Sequence, residues 1–111
     1  MARLPNGDRA IVPLSRVTDY LLNPRHPVGK HKARVFAAAL GIGAGEAPTV
    51  QTWLLELARR SEADPGLTDA YGQRFVILGK LSYNGREALV RTAWILRSPT
   101  SEPEFLTAYV E

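Results

Sequence analysis

The chain has 111 residues, 45% hydrophobic and 23% charged, a size and balance that fit one globular domain and exclude a disordered or fibrous chain. It contains no cysteine, which excludes a disulfide framework, a thiolate zinc site and a thiol nucleophile. No apolar run approaches the roughly 18 residues a membrane helix requires, and the first residues lack a signal-peptide core, so the expectation is a soluble, cytoplasmic chain with no membrane partner.

The net charge of +3 permits an anionic partner without demanding one. Its distribution says more. Between Asp19 and Glu46 there is no acidic residue, and both histidines fall there, in Arg25-His26-Pro27-Val28-Gly29-Lys30-His31-Lys32-Ala33-Arg34. Glu46 to Asp69 then carries five acids against Arg59 and Arg60.

In chain order, residues 1–8 read as a flexible start to a single domain spanning 1–111. Residues 9–12 read as a short strand stopped by Pro13. Leu14 to Leu22 predicts a helix, with Val17 and Leu21 on its apolar face and Ser15 as its cap. Asn23-Pro24 ends it, because the residue before proline is pushed out of the helical region. A second helix runs from about Gly29 to Leu40 with Ala33, Phe36, Ala37 and Leu40 inward, and the glycines at 41, 43 and 45 terminate it. These glycines have the wrong spacing and follow the wrong element for a dinucleotide fingerprint. Pro48 opens a third helix that reaches about Arg60 on the stripe Val50, Trp53, Leu54, Leu57, Ala58. Ser61 to Tyr71 reads as a surface connection.

From Arg74 the period changes to two. Arg74 to Tyr83 and Glu87 to Arg97 are strands, and Asn84-Gly85 between them is a hairpin signal, since a type I′ turn needs positive φ at both positions. Glu104 to Val110 is a further strand. The fold class is therefore α+β: about three N-terminal helices packed on a C-terminal three- to four-stranded antiparallel sheet. A two-residue turn pairs Tyr83 with Arg86 and Phe75 with Trp94. Phe75, Ile77, Gly79, Leu81, Ala88, Val90, Thr92 and Trp94 then form the core face. Strict alternation adds Leu106, Ala108 and Val110 to that face. It sends Phe105, Thr107 and Tyr109 to the other side, beside Arg74, Lys80 and Arg91.

The run Asp19 to Phe36, containing Tyr-Leu-Leu-Asn-Pro, His-Pro, Gly-Lys and His-Lys-Ala, resembles the signature of a small, uncharacterised bacterial family. Tyr71-Gly72-Gln73-Arg74-Phe75 and Trp94…Pro103…Leu106-Thr107-Ala108-Tyr109 extend the resemblance over nearly the whole chain. More broadly, helices bearing basic and histidine residues followed by a sheet ending in Thr-x-Tyr are similar to the barnase-, colicin- and RelE-type ribonuclease toxins, a likeness at the level of fold. It implies metal-independent RNA cleavage without a cofactor. The implied partners are RNA and a cognate inhibitor or antitoxin protein.

Such cleavage turns the 2′-hydroxyl onto the adjacent phosphate. It needs a base, a cation for the phosphorane and an acid for the 5′-oxygen. Histidine titrates near neutrality, and Arg and Lys hold phosphates. The expected catalytic residues are His31, Arg91, Thr107 and Tyr109, with His26, Lys30, Arg34, Arg74 and Lys80 binding RNA phosphate. No metal site is expected, because the two histidines lack a third ligand and no carboxylates pair at metal or glycosidase spacing. Lys30, Lys32 and Arg34 equally suit a solvated helix face, and His26 a turn element. Two non-catalytic readings stand beside the nuclease: a protein-interaction module of immunity or antitoxin type, and a simple RNA-binding domain.

Overall fold

The computed structural model describes residues 3–111. A 3₁₀ turn at Gly7–Arg9 precedes the helix α1, Leu14–Arg16, which continues without a break as a π-helical turn, Val17–Leu21. Two longer helices follow, α2 (Lys30–Leu40) and α3 (Ala47–Arg60). The strands are β1 (Asp64–Asp69), β2 (Gly72–Tyr83), β3 (Arg86–Leu96) and β4 (Glu104–Val110), in one antiparallel sheet of order β1-β2-β3-β4. The α+β reading holds, with helices first and a four-stranded sheet after them.

The hairpin folds as its turn residues dictate. Asn84 and Gly85 both have positive φ, 55° and 78°. The β2–β3 register then runs unshifted from Tyr83↔Arg86 to Gln73↔Leu96. Phe75, Ile77, Leu81, Val90, Thr92 and Trp94 are buried on one face as alternation requires. Phe36 and Leu40 of α2 and Val50 and Leu54 of α3 join the same core. Gly79 lets α3 approach, since a Cβ there would collide with the Leu57 side chain and the Trp53 ring. Trp53 is half-buried, and its indole N–H donates to the Lys80 carbonyl at 3.2 Å.

Five local readings change. Thr107 pairs with Ala93 but Phe105 with Trp94, so Leu106 is an extra, bulged residue. The bulge breaks the period of two and delivers Phe105 to the core, where its ring meets Trp94 edge-on at 5.5 Å. The connection at 61–71 contains the strand β1, exposed along its whole length. Its Pro65 is tolerated because β1 is an edge strand, where a missing N–H costs no ladder bond. Ser15 makes no cap; Pro13 precedes α1 and no side chain caps it. The stretch near Ile11 forms only a parallel bridge to Glu104. Within the expected flexible start, Leu4 is buried and Arg3 bridges to Glu62; residues 1 and 2 lie outside the described chain.

Candidate functional site

The first helix ends in an i→i+5 bond, from the Leu22 amide to the Val17 carbonyl at 2.9 Å. Such π turns recur at functional sites because the extra residue per turn re-aims a side chain. Val17 and Leu21 stay buried, and Tyr20 sits between core and solvent.

The segment after Tyr20 wraps it. The Asn23 side chain accepts from the Arg25 amide at 3.0 Å and donates to the Asp19 carbonyl at 3.1 Å, forming the turn into Pro24. His26 Nδ1 accepts from the amides of Val28 and Gly29, each at 3.0 Å. That geometry fixes the neutral imidazole as its Nε2–H tautomer, leaving only a donor free. The His26 ring meets the Tyr20 ring edge-on at 5.0 Å. Gly29 closes the wrap: a Cβ there would collide with the Tyr20 carbonyl oxygen and crowd its ring. The glycine therefore lets α2 begin against the tyrosine.

Two elements, α2 and β4, converge on the Tyr20 hydroxyl. Lys32 of α2 donates to it from 3.3 Å, with its ammonium also 5.6 Å from the ring centroid. Thr107 of β4 shares a hydrogen bond with it at 3.4 Å. Arg16, one helical turn earlier, donates to the Leu106 carbonyl at 3.2 Å, which ties α1 to the bulge beside Thr107. Burial alone raises the phenol pKa. The bonds from Thr107 and Lys32, and the charges of Lys32 and Arg16, outweigh that and bring it below its ordinary value. Arg16, Asp19, Tyr20 and His26 line one open concavity. Two cations, a polarised phenol and a hydroxyl at its side suit the binding of a phosphate or another small anion.

The sequence-predicted residues divide. Thr107 and His26 belong to this cluster. His31 is exposed on α2. At about 100° per residue it lies opposite the buried stripe Ala33, Phe36, Leu40, and among the described residues no hydrogen bond joins it to the Tyr20 hydroxyl. Lys30 and Arg34 flank the other side of that stripe; Arg34 borders a separate apolar hollow with Leu22, Pro24 and Ile42. Arg91 and Tyr109 are cross-strand neighbours. Arg91 is engaged by Glu111 at 2.6 Å, and that hydrogen bond, against partial desolvation and with the carboxylate's charge, holds its pKa above the ordinary value. Arg74 pairs with Asp69 at 2.7 Å and Lys80 with Glu87 at 3.5 Å. Tyr20, Lys32, Arg16 and Asp19 are the additions. The signature residues around Tyr20 were the available signal, but only the π turn and the bulge reveal where they meet.

The sequence matches, over residues 3–111, the family described as "Domain of unknown function (DUF6883)". No curated protein matches it. Among solved structures, a chain from a "Contact-dependent growth inhibition toxin - immunity protein complex from Klebsiella pneumoniae 342" is similar in fold, with a TM-score of 0.68 at 15% identity over 96% of this chain and 97% of that one.

Proposed function

This chain belongs to the DUF6883 family, and from that premise and the Tyr20 cluster we propose that it is a toxin-type, metal-independent endoribonuclease. The observation that carries the reading is the meeting of Lys32 and Thr107 on one phenol oxygen, at 3.3 and 3.4 Å, beside a concavity lined by Arg16 and His26. The scissile phosphate sits in that concavity. Arg16 and Lys32 neutralise its non-bridging oxygens as the 2′-oxygen attacks and negative charge grows on the phosphorane. The His26 Nε2–H orients it as a donor. The charge stabilisation comes from side chains, so no metal is required. The fold's likeness to a chain of a growth-inhibition toxin–immunity complex supports a place in such a system. An acidic protein covering the concavity would be its inhibitor.

The test is incubation of the purified chain with RNA in excess chelator. Expected products carry 2′,3′-cyclic phosphate ends, and Lys32→Ala lowers kcat/KM at least about a hundredfold without loss of fold. A clean preparation that cuts no RNA ends the proposal.

A second reading, a protein-interaction module without turnover, is favoured by one observation. Leu78, Leu89 and Tyr109 leave an apolar strip exposed across β2, β3 and β4, where the cations Lys80 and Arg91 are already paired. Loss of partner binding in Leu89→Lys, with no RNA cleavage by the parent chain, would select it.

A further inference from the structure

Turning the 2′-hydroxyl into a nucleophile requires a group that takes its proton. Arg16 and Lys32 are cationic donors. His26 Nδ1 is occupied by two amides, and Thr107 is an ordinary hydroxyl. Tyr20 Oη is the oxygen on which a cation and a hydroxyl donor converge, held there by a π turn on one side and the Gly29 approach on the other. Resting on the nuclease reading, we infer that Tyr20 is the catalytic base and Lys32 its acid, a phenolate–ammonium pair that works as one unit.

The step balances within the pair. The 2′-O–H bond breaks and its proton passes to the Tyr20 phenolate as the O2′–P bond forms. The P–O5′ bond then breaks, its electron pair stays on O5′, and the Lys32 ammonium protonates that oxygen. The resulting phenol and amine lie across a 3.3 Å hydrogen bond, and transfer of the proton along it restores phenolate and ammonium. No further reactant is consumed.

The charged surroundings favour the ionised phenol. On its own helix Arg16 and Asp19 line the concavity together with His26, and Lys32 of α2 reaches the phenol oxygen beside it. Glu46, on the turn that packs against the π segment, is committed to the Gly43 amide at 2.7 Å. On α3, which also packs there, Glu56 is engaged with Arg60 near the far end. Asp19 is the other carboxyl or phenol oxygen of the concavity, but no donor of the cluster converges on it.

The experiment has two arms on the full chain. Ultraviolet phenolate titration compares the parent with Tyr20→Phe, which keeps the ring against His26 and Lys32. One of the four tyrosines should ionise below the others and vanish from the variant's curve. In the second arm, RNA cleavage is followed against pH. The parent's rate should rise with pH through that same ionisation. Tyr20→Phe should lose at least about a hundredfold in kcat and the rising limb, with RNA binding retained. Thr107→Val should move both the titration and the limb upward together, and Asp19→Asn should keep the limb. A Tyr20→Phe enzyme that cleaves within about threefold of the parent on an unchanged profile overturns the inference and leaves the nuclease standing. A limb that disappears in Asp19→Asn instead also overturns it. A parent chain that cuts no RNA removes both.

Discussion

Two buried positions show how much of this molecule rests on single atoms. Thr92 Oγ1 donates to the Ile77 carbonyl at 2.8 Å and accepts the Trp94 indole N–H at 2.9 Å, in a fully buried setting. Thr92→Val keeps the shape and leaves the buried Trp94 indole N–H without its acceptor. Denaturant unfolding should show a loss of about 1–3 kcal/mol, since an unsatisfied buried polar group bears its desolvation cost. Gly29→Ala acts differently. Its methyl group meets backbone, which no rotamer change relieves, so α2 must back away from Tyr20. The expected cost is of the same order, about 1–3 kcal/mol. RNA cleavage should fall with it, because Lys32 leaves the phenol. Thr92→Val, lying in the core, should lower stability with the site geometry intact. Measuring Tm and kcat/KM for both variants separates the two outcomes. At this scale the sequence was legible where chemistry is local: Asn84-Gly85 announces its own turn. It was opaque at Tyr20, which is one apolar-stripe neighbour among several until a strand 87 residues later supplies Thr107.

Elements were read well where one period persists and poorly where it changes. The β2–β3 register follows from the turn and the alternation of Phe75, Ile77 and Leu81. β4 escapes the same logic because Leu106 is inserted as a bulge: the residues after it keep the faces alternation predicts, and Phe105 before it is switched to the core. β1 was illegible for another reason. It has no buried side chain, so no periodicity marks it; its pairing with β2 defines it. Its turn is held by Asp69. The Tyr71 amide lowers the Asp69 carboxyl pKa most, partial desolvation opposes that, and the Arg74 bond lowers it further. A carboxyl with a depressed folded pKa stabilises the folded turn above the unfolded value, and that contribution is lost as pH falls through the lowered one. Hydrogen exchange at the β1–β2 amides should therefore show β1 loosening first on acidification below the ordinary aspartate range, with β2–β3 still protected. Asp69→Asn should remove that pH dependence.

Across the molecule, charge is divided by halves. Residues 1–45 hold seven Lys or Arg against two carboxylates, and residues 46–111 hold seven against nine. The ion pairs follow the same line. Among the described residues none of the five involves Arg16, Arg25, Lys30, Lys32 or Arg34, whereas Arg74, Lys80 and Arg91 of the sheet and Arg97 just after β3 are paired, with Arg86 at the hairpin the exception. This split was legible in the sequence as the acid-free stretch after Asp19, but its significance was not, because only the fold shows that Arg74, Lys80 and Arg91 of the sheet are already answered. If three to five of the unpaired cations meet phosphates, log K for single-stranded RNA should fall against log salt with a slope of about −2 to −3.5. Lys32→Ala should reduce that slope by about 0.7, and Lys80→Ala should leave it nearly unchanged.

Such a separation of sign gives the protein an uneven field. A negatively charged body at a distance is drawn first toward the acid-free segment that follows Asp19, before any contact forms. Most collisions would then begin with the productive side already presented, so capture could be rapid even where the final grip is modest.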